Sequence, residues 1–145
     1  MSALDGTSDT FGKGYAPEQK GSHKLYSAPA DRNTKPILDV MKTCMPSSGK
    51  VLGIAEGSGQ HVTAFAREFP GLTFQPTEIE EMALESIGVY TRESGLANIL
   101  PSVRFDCIAP DYGPIGARGS YSAIYTINCT IPAFTPSQYL WPCPQ

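Results

Sequence analysis

The stretch Lys50-Val-Leu-Gly-Ile-Ala-Glu-Gly-Ser-Gly-Gln-His61 holds the residues best suited to chemistry. An apolar run stops at the small residues Ala55, Gly57, Ser58 and Gly59, with Glu56 among them, and an amphipathic segment follows. That order predicts a buried strand, a tight turn and a helix. Glycine suits such a turn because the backbone must adopt dihedrals forbidden to side chains and let a ligand come close. The helix start beyond it offers unpaired N–H groups. Nucleotide or nucleoside binding is the chemistry expected. Glu78 lies 21 residues after Gly57, near the spacing of about 20 residues at which a carboxylate meets ribose hydroxyls in dinucleotide-type sites. An ionised carboxylate can accept both hydrogen bonds of a vicinal diol. Asp106 with Cys107, and Asn128, end two further apolar runs and complete the candidate set.

Plainer roles compete for each of these residues. The glycines also fit an ordinary turn, and Glu78 fits a helix N-terminus, where the dipole favours an acid. Asp106 and Cys107 fit a strand end with a buried thiol, and Asn128 fits a strand cap or a group that orients a ligand. Val62 stands where a nicotinamide fingerprint needs its third small residue, and the G-K-[ST] ending of a phosphate loop is absent, so neither motif is complete. His61 lacks a metal-ligand partner at a suitable spacing and reads as a structural residue. No Ser/His/Asp or Cys/His triad can be assembled.

Ile37, Met41 and Cys44 share one helical face that ends at Pro46-Ser-Ser-Gly49, with Asp31 to Thr34 offering caps and Pro36 a first-turn residue. The first strand runs from Lys50 to Ala55. Val62, Phe65, Ala66 and Phe69 then form a second helical stripe. Leu72 to Gln75 is the next strand, and Thr77-x-x-Glu80 resembles a capping box before a helix carrying Ala83, Ile87 and Tyr90 and ending at Gly95. Val103 to Ile108 and Tyr121 to Asn128 are the third and fourth strands. Alternating strands and helices predict an α/β domain with a parallel sheet, its ligand at the carboxyl ends of the strands where the order reverses.

The chain has 145 residues, 41% of them apolar and 17% charged, as expected of one globular domain. A net charge of -3 without a basic stripe argues against duplex nucleic acid as a partner. Four cysteines without C-x-x-C spacing read as free thiols in a reducing compartment. No apolar run has the length of a membrane span, so a soluble, intracellular and cytoplasmic protein is expected, with the nucleus also open. Residues 1–24 read as a flexible extension poor in apolar residues.

Leu25 to Leu38, Val51-Leu-x-Ile-Ala-x-Gly-Ser-Gly-Gln-His61, Phe74-Gln-Pro-Thr-Glu78 and Ala123-Ile-x-x-Ile-Asn128 together resemble the methyltransferase-like protein 26 family. That resemblance implies a Rossmann-like class I methyltransferase sheet over residues 25–128 and S-adenosyl-L-methionine as small-molecule cofactor. It implies that Ala55, Glu56, Gly57, Ser58 and Gly59 pass beneath the methionine portion, that Glu78 holds the ribose, and that Asp106 with Cys107 contacts the adenine. Asn128 joins this cofactor set, and the methyl acceptor is not supplied. Two departures stand out. The family's usual acid is replaced by Gly53 while an acid appears at Glu56, and residues 129–145 carry Pro132, Pro136, Pro142 and Pro144, which exclude a regular helix or central strand. The expectation is a divergent ending that replaces the remaining strands. The fourth strand and Ile131, Phe134, Leu140 and Trp141 would then form an exposed edge open to a protein partner or self-association, and the product could be non-catalytic.

Overall fold

The computed structural model describes residues 15–108 and 112–129, so the expected Pro-rich ending with its apolar side chains, and the first fourteen residues, lie outside the described residues. β1 (Ala16–Pro17) and β2 (Leu25–Tyr26) form an antiparallel hairpin. α1 (Ala28–Cys44) follows, then β3 (Gly49–Ile54), α2 (Gln60–Glu68), β4 (Leu72–Glu78), α3 (Glu81–Ser94), β5 (Val103–Arg104) and β6 (Ala123–Thr126). β3 to β6 build one parallel sheet in the order β5-β4-β3-β6. From β3 the chain steps outward through β4 to β5, then returns to add β6 on the other side of β3. The reversal between β3 and β6 is the switch point at which such sheets take ligands.

The helical stripe drives the packing. Val62, Phe65 and Ala66 of α2 lie on Val51 of β3 and Leu72 and Phe74 of β4, all almost wholly buried, with Met41 of α1 and Ile99 closing the core. Asn98 locks one end of this layer. Its side-chain amide donates to the carbonyls of Ala66 at 2.9 Å, Phe69 at 3.3 Å and Leu72 at 2.9 Å, while Phe74 N–H donates to the Asn98 carbonyl at 2.8 Å.

Several boundaries differ from the sequence expectation, each for a local reason. α1 begins at Ala28, before the caps expected at Asp31 to Thr34, because Ser27 accepts from Ala30 N–H at 3.3 Å and Pro29 suits the first turn. Pro36 therefore lies inside the helix, on its exposed side. Cys44 faces solvent instead of the core. β4 continues past Gln75 through Pro76 to Glu78, and Thr77 is no helix cap. Its buried hydroxyl donates to the Gly53 carbonyl at 2.7 Å, a cross-strand bond beside a proline that has no N–H to give. α3 opens at Glu80 without a side-chain cap bond. The third strand, expected to reach Ile108, ends at Arg104, since the Asp106 carboxylate accepts from Ile108 N–H at 2.9 Å and turns the chain. Residues 15–24, within the stretch read as an extension, carry β1 and an ion pair from Lys24 to Glu93 of α3 at 2.7 Å. β6 is an edge strand with Ile124 63% exposed. No helix among the described residues is long and apolar enough to cross a membrane.

Asn98→Ala removes the donor that three carbonyls share, so a loss of about 1–3 kcal/mol is expected, measured as a lower urea midpoint at unchanged m-value.

Candidate functional site

The site grows from the turn after β3. Ala55 leaves the strand at φ 57°, Gly57 takes φ 65° and Gly59 φ 99°, and only the two glycines adopt such dihedrals without steric cost. Gly59 has a second constraint, because a β-carbon there would come to 3.0 Å from Ile87 Cα of α3. Asn128, past the end of β6, has φ 53°. The two non-glycine residues of the described chain in the left-handed region thus follow the two strands that flank the switch point.

Glu78 ends β4 and is 4% exposed. Its carboxylate accepts from Gly57 N–H at 2.8 Å through one oxygen and from its own neighbour Ile79 N–H at 2.8 Å through the other. The acid expected near ribose therefore faces the glycine turn, and each oxygen keeps a further lone pair.

Glu56 is 7% exposed and accepts from the Tyr125 hydroxyl of β6. Its carboxylate occupies the space above Gly53. A β-carbon at Gly53 would fall on Glu56 Oε1 and stand 2.7 Å from the Tyr125 hydroxyl. The two departures seen in the sequence are therefore one feature: the side chain absent at position 53 makes room for the acid at 56. Burial pushes the Glu56 carboxyl up to about 8, against the bond from Tyr125 and with help from the charge of Glu78. Tyr125 is held protonated, well above the ordinary phenol range, by burial and then by the charge of Glu56. Its ring packs edge-on against Phe65 at 5.3 Å, which fixes the hydroxyl.

The remaining candidates divide. Buried Ser58 accepts from Gln60 N–H at 3.3 Å through its hydroxyl, and its carbonyl accepts from the Ser86 hydroxyl at 2.6 Å. Gln60 accepts from Ser27 N–H at 2.7 Å, so the turn is tied to α1 and α3. His61 joins α2 to α1 through Asn33 Oδ1 at 2.8 Å and stacks on Phe65, and burial lowers its pKa. Asp106 and Cys107 sit in the turn beyond β5, with the Asp106 side chain exposed. Burial raises the Cys107 pKa, with Cys129, Asp106 and Glu78 adding to it, and the parallel pairing of β5, β4, β3 and β6 brings their carboxyl ends to one edge. Sequence reasoning missed Tyr125 and Tyr15. The first was legible only as one place in the β6 alternation, and the second lay in a stretch without periodicity. Tyr15 sits on Gly57: a β-carbon there would collide with its hydroxyl.

Residues 24–136 match the family model described as protein of unknown function (DUF938). Among solved structures, the CurJ carbon methyltransferase is similar with TM-score 0.51 and 17% identity, over 66% of this chain and 26% of that one. EvdMO1 is similar with TM-score 0.51 and 21% identity, over 68% and 22%. YjhP from E. coli gives TM-score 0.44 and 17% identity, over 52% and 30%. This chain spans less than a third of each of those chains. The fold is thus the α/β, Rossmann-like one found in methyltransferases, with a parallel four-stranded sheet flanked by helices.

Ala55→Gly relieves a left-handed alanine that costs about 1–2 kcal/mol, less a glycine entropy penalty of about 0.5–1 kcal/mol. A small gain in the urea midpoint is expected. Glu56 has a folded pKa raised from 4.5 to about 8, so the folded state binds the extra proton between those values and wild-type stability falls as pH rises through that window. In Glu56→Gln that contribution vanishes. The stability of the variant relative to wild type should therefore climb from pH 5 to pH 8 in urea titrations, and a flat difference would remove the assignment.

Proposed function

The chain belongs to the DUF938 family of proteins of unknown function, and on that premise we propose that it binds S-adenosyl-L-methionine as a class I methyltransferase-like protein, with methyl transfer to a nucleophilic acceptor as the associated reaction. Within that family the sequence blocks favour the methyltransferase-like protein 26 group. The observation that carries the reading is the Glu78 carboxylate at the end of β4, aimed at the glycine turn after β3 and bonded to Gly57 N–H at 2.8 Å.

The donor and acceptor chemistry fits this cofactor. A ribose diol needs a carboxylate acceptor, and Glu78 supplies one beside the turn. A sulfonium and an ammonium need nearby negative charge or strong acceptors. Glu56, buried against Tyr125 next to the same turn, is the group able to give it by releasing its proton. Bound, the cofactor supplies an electrophilic methyl group. The protein's part is then to hold the ligand over Gly57 to Gly59, exclude water and present the methyl in line to the acceptor, which lowers the barrier through positioning. Asp106 and Cys107, on the edge shared with Glu78, are suited to border the base of the nucleoside. Nicotinamide dinucleotide is the rival ligand. Val62, wholly buried in the core where that fingerprint requires a third small residue, weighs against it.

Calorimetric titration of the purified chain with S-adenosyl-L-methionine and separately with NAD should give heat with the first alone. Glu78→Ala should weaken that binding by about 1–3 kcal/mol, and unchanged affinity would reject Glu78 as the ribose acceptor.

A further inference from the structure

The volume beside Gly57 that the proposed ligand requires is taken by a residue of the chain itself. Tyr15 is half-buried, and its hydroxyl occupies the space that a side chain on Gly57 would fill. Burial raises its pKa, and the charges of Glu78 and Glu56 add to the rise. A turn that can admit a ligand because it lacks a side chain admits Tyr15 for the same reason.

The segment carrying Tyr15 is built as a strap with a fixed base. Lys24 pairs with Glu93 of α3 at 2.7 Å. Leu25 N–H donates to Ser86 Oγ at 2.9 Å and its carbonyl accepts from Tyr90 at 3.0 Å. Ser86 in turn donates to the Ser58 carbonyl at 2.6 Å, so the base is wired to the glycine turn. The outer arm is held more lightly. Ala16 and Pro17 are exposed and pair with two residues of β2, Glu18 meets Lys24 through its N–H at 2.8 Å and its exposed carboxylate at 3.0 Å, and the arm is joined to the base through Gly21 at φ 81°. An exposed two-residue pairing and a glycine joint mark a segment that can turn about Gly21.

We propose that residues 15–21 form a self-inhibitory strap: Tyr15 fills the crevice above Gly57 when no ligand is present, and an adenosyl ligand binds only as Tyr15 swings off the turn. The regulation rests on the cofactor reading above, but its physical core, occupancy of the turn by Tyr15, can be tested without any ligand.

Two measurements on the full chain decide it. In hydrogen exchange of the ligand-free protein, Tyr15→Ala should exchange the Gly57 and Ser58 amides at least threefold faster than wild type, because water then reaches the Glu78–Gly57 bond. In calorimetry, Tyr15→Ala should bind S-adenosyl-L-methionine at least threefold more tightly, and Tyr15→Phe, which keeps the ring, should fall between the two. Unchanged exchange overturns the strap whatever the binding result. Accelerated exchange with equal or weaker binding overturns the inhibitory role and makes Tyr15 a bystander or a ligand contact. Accelerated exchange with no binding by either protein overturns the cofactor reading and leaves Tyr15 as the occupant of the turn.

Discussion

A hydrogen bond from Gly57 N–H to the Glu78 carboxylate at 2.8 Å ties the turn after β3 to the end of β4, beside the bond from Glu56 N–H to the Thr77 carbonyl at 3.1 Å, at the edge where the chain changes direction. It is buried, and one of its partners is an acid, which makes it both stronger than a neutral bond and costly to leave unmade. The turn after β3 depends on it for its shape. Gly57 can hold φ 65° at little cost, but it is the carboxylate that aims its N–H inward and so sets where Ser58 and the start of α2 must go.

Around that bond the chain assembles an unusual share of buried polar chemistry. Glu56 and Glu78 lie at 7% and 4% exposure on one edge of a small domain, and the charge of Glu78 adds to burial in favouring the protonated form of Glu56. The fold answers with hydroxyl and amide donors: Tyr125 for Glu56, and the Gly57 and Ile79 backbones for Glu78. Such an arrangement is specific because each member is satisfied by a different strand or turn, and replacing one leaves a buried acceptor without its donor.

The pairing of Gly53 with Glu56 illustrates how a departure at one position acquires meaning from another. A glycine in a central strand loses side-chain packing and backbone order, which by itself reads as a defect. With Glu56 folded into the vacant space and Tyr125 above it, the same glycine becomes the condition for burying an acid between β3 and β6. The strap adds a related feature. Its base is anchored on α3, while Tyr15 occupies the space that a side chain on Gly57 would fill.

Sequence alone determined the features that repeat with short periods: the buried run of β3, the α2 stripe of Val62, Phe65 and Ala66, the Gly95 helix stop, and hence a parallel sheet with helices crossing between its strands. The 21-residue step from Gly57 to Glu78 followed, because one strand–turn–helix–strand unit has a nearly constant length. Only the tertiary structure decided that Thr77 is a strand residue, that Asp106 turns the chain early, that Glu56 lies over Gly53 under a tyrosine 69 positions away, and that Tyr15 rests on Gly57. Those outcomes turn on contacts between distant segments, where the energy of satisfying a buried polar group outweighs local propensity, and no periodicity in the chain encodes which partner will arrive.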